Sequence, residues 1–154
     1  MRMEDTIEID ATREAIWPWL TEIDRQKQWM KGLVSREWTE GQPDAPGSKF
    51  RVVIKEGGRD TEYNGTMLAI ESPDHFRSTM TGGCGKEPYT MHFTYKLADL
   101  GGRRTRVDYL CEFEMPKDPG FFMRLMIKFG TWFARRQSRS FHAKLKSLAE
   151  SSAS

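Results

Sequence analysis

Apolar and polar residues alternate with a period of two through most of the middle of the chain. Phe50, Val52 and Ile54 fall on one parity, with Arg51 and Lys55 on the other. The same alternation sets Met91, Phe93, Tyr95 and Leu97 opposite His92, Thr94 and Lys96. It also sets Val107, Tyr109, Cys111 and Phe113 opposite Arg106, Asp108, Glu112 and Glu114. A strand turns successive side chains to opposite faces, so these runs predict half-buried strands. Six runs are expected: Leu33 to Glu40, Ser48 to Glu56, Asp60 to Glu71, His75 to Gly82, Pro88 to Ala98 and Arg104 to Met115. Turn residues punctuate them: Gly41 with Pro43, Pro46 and Gly47, then Gly57-Gly58, Pro73-Asp74, Gly82-Gly83-Cys84-Gly85 and Gly101-Gly102. Short glycine-rich connections between such runs predict consecutive antiparallel hairpins.

Upstream, Thr6 to Asp10 alternates as a short strand, and Thr12 is placed to cap a helix whose Ile16, Trp17 and Leu20 share a face. Pro18 sits early, where a helix tolerates it best. A second short helix is expected from Asp24 to about Met30. Downstream, Pro116 and Pro119-Gly120 stop the last strand, and no proline interrupts Phe121 to Glu150. That stretch predicts a helix about 40 Å long. Leu125, Met126, Phe129 and Phe133 lie within about 60° of Phe122 around it, with Trp132 at the edge of the stripe. This stripe is expected to cover the apolar face of the sheet, as a one-sided sheet requires. Arg124, Lys128, Arg135, Arg139 and Lys146 form a second, narrow stripe, and Phe141, Leu145 and Leu148 drift off the first.

The order is therefore a strand, two short helices, a six-stranded meander and a long C-terminal helix. It resembles the START-like, or SRPBCC, superfamily with its helix-grip fold, which includes polyketide cyclases and dehydrases and lipid-transfer domains. The resemblance is carried by Ile7-Glu8-Ile9-Asp10-Ala11-Thr12-Arg13-Glu14-Ala15-Ile16-Trp17, by Trp29 after the second helix, and by Gly47-Ser48-Lys49-Phe50. Gly65-Thr66-Met67 with the later Pro73 completes it. It implies an α+β fold: a curved antiparallel sheet of about seven strands wrapped around a long C-terminal helix. It implies one domain over residues 1–150, a flexible tail at 151–154, and an apolar ligand held between sheet and helix.

Composition bounds what such a domain does. The chain has 154 residues, of which 38% are hydrophobic and 30% charged, with a net charge of +2. A chain this size supplies a core without metal or disulfide staples, and Cys84 and Cys111 make no disulfide framework. The charge is too small to argue nucleic-acid binding, and the acidic, polar start is no signal peptide. No apolar run approaches a membrane span. A cytoplasmic protein without cofactor or metal is expected, as monomer or homodimer. From Phe121 to Ala149 there are seven Lys or Arg and no Asp or Glu. A basic amphipathic helix of this kind is a solvated face or a transient contact with an anionic membrane surface. The charged stripe has no interleaved aromatics, which speaks against nucleic-acid stacking.

Catalytic motifs are absent from the sequence. His75, His92 and His142 make no HExxH pair, and there is no CxxC and no GxSxG. Catalytic residues are therefore not assigned. The ligand-binding candidates are inward-parity residues of the sheet and the helix stripe: Phe50, Val52, Phe76, Met80, Met91, Phe93, Phe113, Met126, Phe129 and Phe133. Bulky, adaptable side chains of this kind suit varied apolar shapes and equally suit an irregular core. Tyr63, Tyr95 and Tyr109 need a partner for each buried hydroxyl, whether ligand, backbone or water. Arg136 lies about 40° from the centre of the apolar helical stripe. It either pairs with a ligand anion, snorkels to water, or meets Glu112 or Glu114. Three readings stay open: a carrier of a hydrophobic small molecule (lipid, polyketide or aromatic), a cyclase/dehydrase-like enzyme using the same pocket, and a cavity-free interaction domain.

Overall fold

The computed structural model describes residues 2–83, 88–114 and 121–153. In chain order the elements are β1 (Arg2–Ile9), α1 (Arg13–Thr21), α2 (Ile23–Trp29), β2 (Leu33–Glu40), β3 (Lys49–Glu56), β4 (Arg59–Glu71), β5 (His75–Gly82), β6 (Tyr89–Gly101), β7 (Arg104–Phe113) and α3 (Phe121–Ala153). The strands form one antiparallel sheet of seven in the order β1-β7-β6-β5-β4-β3-β2. This is the helix-grip arrangement, with the two short helices between β1 and β2. The expected turn beyond Gly83 and the expected stop at Pro116 to Gly120 lie outside the described residues. Among the described residues no helix is long and apolar enough to cross a membrane.

Each hairpin follows from its sequence. Glycines at positive φ, Gly57-Gly58 and Gly101-Gly102 among them, make the tight reversals. Register shifts between Leu33 and Ser35, between Trp38 and Glu40, and between Met67 and Ala69 bend the sheet around its inner face. Gly65 is needed for a second reason. The Phe50 ring lies across it, and the Thr79 carbonyl would stand 2.9 Å from any added Cβ. The register then lays out rows across the sheet. One row runs Phe50, Gly65, Met80, Met91, Phe113. Another runs Ile70, Phe76, Tyr95, Tyr109, Asp5.

α1 opens on Thr12, whose Oγ1 accepts from the Ala15 amide at 3.2 Å. It buries Ile16, Trp19 and Leu20. Trp17, expected on that face, is half-buried instead and meets Phe76 edge-on at 5.8 Å. Trp29 closes α2 and donates from Nε1 to the Trp19 carbonyl at 2.8 Å, which ties the two short helices together.

The long helix departs from expectation. It packs chiefly on β1, α1 and α2, and among its described side chains His142, Leu145 and Ala149 are buried. Phe129, Trp132 and Phe133 stand 69%, 62% and 63% exposed, and Leu125 and Phe121 are exposed too. The described part of the stripe expected to cover the sheet therefore faces outward. The reason lies in the helix itself. Phe141, Leu145 and Leu148 lie about 80° to 140° around the axis from the middle of the Phe129–Phe133 stripe. A straight helix cannot turn both stripes to one layer, and the C-terminal stripe takes the core. In the N-terminal half, the inward face carries the half-buried Ile127, Thr131, Ala134 and Ser138. At the far end α3 runs through Ser151 and Ser152 to Ala153, into the stretch expected to fray. Ser152 Oγ accepts from Trp19 Nε1 at 3.3 Å, and Glu150 accepts the Asp10 amide at 3.0 Å.

Candidate functional site

The curved inner face of the sheet and the α2–β2 segment line a half-open cavity of about 120 Å³. The floor is sheet: Phe50, Val52 and Ile54 of β3, Met67 of β4, Phe76, Ser78 and Met80 of β5, Phe93 and Tyr95 of β6, and Tyr109 of β7. The remaining wall comes from Gln26 and Trp29 of α2, Met30, and Leu33, Arg36 and Trp38 of β2. Aromatic contacts hold this wall in place. Trp38 meets Phe50 edge-on at 5.7 Å, Phe76 meets Tyr95 at 5.2 Å, and Tyr95 meets Tyr109 at 4.9 Å. Such a space is apolar, and a dry cavity near this size takes a single aromatic ring.

Few polar groups interrupt the wall, and each has an identifiable setting. The Arg36 guanidinium donates to the Thr21 carbonyl and lies 6.0 Å over the Trp38 ring. Burial pulls its pKa down, and nearby Asp44 opposes the shift. Gln26 donates from Nε2 to the Leu20 carbonyl. At the inner end, Tyr95 Oη and His142 Nε2 are 3.0 Å apart, and His142 Nδ1 is 2.6 Å from Asp5 Oδ2. The Tyr109 ring packs on His142 at 4.8 Å. Desolvation raises the pKa of both tyrosines, and for Tyr109 the neighbouring Tyr95 and Cys111 add to it. Burial pushes the Cys111 thiol up to about 11, so it is a buried neutral thiol. Burial lowers the His142 pKa, and Asp5 opposes that. These residues form a line from a half-buried carboxylate, through a buried imidazole, to a tyrosine in the cavity wall.

Seven of the residues predicted from sequence line the cavity together: Phe50, Val52, Phe76, Met80, Phe93, Tyr95 and Tyr109. Others are displaced from it. Met91 and Tyr63 are buried in a neighbouring cluster with Phe50 and Val52, and Phe113 packs against that cluster. The Tyr63 hydroxyl donates to Glu56 at 2.7 Å and also meets the Tyr89 hydroxyl at 2.7 Å, so its partners are side chains. Phe129 and Phe133, expected in the cavity wall, point outward for the reason given above. Arg136, expected at the mouth or snorkelling, places its guanidinium 5.8 Å over the exposed Trp132 ring on the outer face. The Met126 side chain lies outside the described residues.

Sequence reasoning did not find the α2–β2 side of the wall, Arg36 above all, nor the pairing of His142 with Asp5. Arg36 sits between Ser35 and Glu37 and reads as a surface strand. The signal for Trp29 and Trp38 was their bulk at either end of a short connection. Among the described residues no cluster of His, Cys, Asp and Glu is arranged to hold a metal ion.

Residues 1–151 match the model of the family described as polyketide cyclase/dehydrase and lipid transport. No curated protein matches the chain in sequence. Solved structures match it in fold at low identity. A conserved protein from Geobacillus kaustophilus is 16% identical with a TM-score of 0.72, the match covering 100% of this chain and 98% of that one. A protein from Arthrobacter aurescens is 18% identical with a TM-score of 0.72, over 97% and 86% of the two chains. A protein from Thermus thermophilus is 17% identical with a TM-score of 0.70 over 100% of both.

Proposed function

The chain belongs to the polyketide cyclase/dehydrase and lipid transport family, and from that premise we propose that it binds and carries a hydrophobic small molecule in the cavity between sheet and α2–β2. The observation that carries this reading is the wall itself: aromatic and aliphatic side chains from six strands and a helix around an interior space. Cores are normally close-packed, with few voids larger than a water molecule. A void lined this way is maintained by large side chains propped against one another. Apolar burial supplies the affinity, at about 25 cal/mol per Å² before ordering costs. A ring-sized group fits the space as it stands.

Met80 stands in the wall opposite Gly65, where extra bulk can enter the cavity. Met80→Trp should leave a folded protein that no longer takes up toluene or another single-ring hydrocarbon, read by ligand-observed NMR. Uptake equal to that of the parent would place the binding elsewhere and overturn the reading.

The outward face of α3 favours a second reading, contact with an anionic membrane surface. Leu125, Phe129, Trp132 and Phe133 form an exposed apolar stripe. Arg124, Lys128, Arg135 and Arg139 edge it, in a helix segment without acids from Phe121 to Ala149. Aromatic stripe and basic margin together match the interface of an anionic bilayer. Co-sedimentation with phosphatidylserine vesicles should fall when Phe129, Trp132 and Phe133 are all changed to Ser, and should weaken with salt. Equal binding of the triple variant, or a stripe hidden in a dimer of the free protein, would contradict it.

A further inference from the structure

A cavity that holds an apolar molecule needs a polar group to fix its orientation. Tyr95 lies in the wall and its hydroxyl belongs to a directed chain of hydrogen bonds. Asp5, Tyr109 and Tyr95 are neighbours in one row across β1, β7 and β6, and His142 of α3 sits over that row. The groups facing the imidazole are Asp5 from β1, Tyr95 from β6, Tyr109 from β7 and the Trp29 ring from α2.

The chain has a sense. A carboxylate only accepts, so His142 Nδ1 carries the hydrogen and donates it to Asp5 Oδ2 at 2.6 Å. Nε2 of the neutral ring then accepts, and Tyr95 Oη donates to it at 3.0 Å. Its hydrogen committed, the tyrosine oxygen has lone pairs to offer. We propose that Tyr95 Oη is the polar recognition point of the cavity, set as an acceptor by His142 and Asp5, and that it selects ligands bearing a hydroxyl donor, phenols and enols. This rests on the cavity reading and names its ligand class.

Burial disfavours the charged imidazole, so the ligand keeps its hydroxyl proton and the line fixes the direction of one hydrogen bond. Asp5 also borders two clefts on the outer surface, so the line joins solvent to the cavity. Tyr95 is the group that meets the ligand, and His142 and Asp5 are positioning residues.

Asp5 offers a way to reverse the sense. Its Oδ1 accepts the Thr6 amide at 3.1 Å while Oδ2 faces His142. In Asp5→Asn the amide oxygen keeps the Thr6 contact, and the NH2 turns to Nδ1. The imidazole must then carry its hydrogen on Nε2 and donate to Tyr95, whose own hydrogen is released toward the ligand.

The test titrates the full chain by 19F NMR with 4-fluorophenol, 4-fluoroanisole and 4′-fluoroacetophenone, and reads the His142 tautomer from imidazole 15N shifts. The parent should hold the Nδ1-protonated tautomer and bind the phenol about tenfold more tightly than the methyl ether, the worth of one good hydrogen bond. Tyr95→Phe should erase that preference, so that phenol and ether bind alike. Asp5→Asn, at a partly exposed site, should switch the tautomer and shift preference to the ketone; it decides the matter alone if the Tyr95 variant does not fold. Equal binding of phenol and ether by the parent overturns the proposal and leaves the cavity reading standing. A preference that survives Tyr95→Phe, or an Nε2-protonated parent, also overturns it. Failure of all three probes to bind overturns the cavity reading and the proposal with it.

Discussion

Asp5 is a carboxylate on the inward parity of an edge strand, between Met3 and Ile7. Read alone, Met3-Glu4-Asp5-Thr6 is a polar chain start, and nothing local says that Asp5 faces a histidine 137 residues away. The pairing depends on the β1–β7 register, and a slip of one residue would turn Asp5 to the other face. Tyr95 and Tyr109 were legible, because adjacent strands of the meander share a parity pattern. Their histidine was not, because His142 falls at the edge of the basic stripe of α3, where the sequence reads as solvated.

That residue has a measurable signature. Burial lowers the His142 pKa in the folded chain, so the unfolded chain binds the proton more readily. The contribution to stability is complete above the unfolded value near 6.5 and is lost as pH falls below it. Urea unfolding between pH 7.5 and 5.5 should show stability falling by up to about 1.4 kcal/mol per pH unit from this group. His142→Gln should flatten that slope. An unchanged slope would assign the titration to other groups.

At the scale of elements, α3 teaches the most. Its amphipathic pattern was plain in the sequence, and so were its start and its drift of phase, whereas its end lies three residues beyond the expected Glu150. What periodicity cannot tell is which of two stripes on one helix meets the sheet. The answer depends on bulk: Ala149 and the fully buried Leu145 allow close approach to β1, α1 and α2, whereas Phe129, Trp132 and Phe133 would hold the helix off. A pair of truncations separates the two faces. Leu145→Ala should cost about 2–5 kcal/mol in denaturant unfolding, as a buried leucine does. Phe129→Ala should stay within about 0.5 kcal/mol, as an exposed site does. Comparable losses at the two positions would mean that the aromatic stripe is packed in solution.

For the whole molecule, strand order, hairpins and helix placement were legible because consecutive antiparallel strands joined by glycine turns admit few topologies. Family membership followed from the same layout. The cavity was only half legible. Its floor obeys the period-two rule, but its other wall comes from α2 and from β2, where register shifts between Leu33 and Ser35 and between Trp38 and Glu40 break the alternation. Hence Arg36 was missed and Arg136 took its place among the candidates.

The central claim is that this interior space receives an apolar small molecule. Native mass spectrometry of the freshly purified chain, followed by denaturing extraction, tests it most directly. The account predicts a discrete added mass released on unfolding, extracted as an apolar compound with a hydroxyl, and absent from Met80→Trp. A bare chain that also takes up neither 4-fluorophenol nor toluene when these are supplied would contradict it.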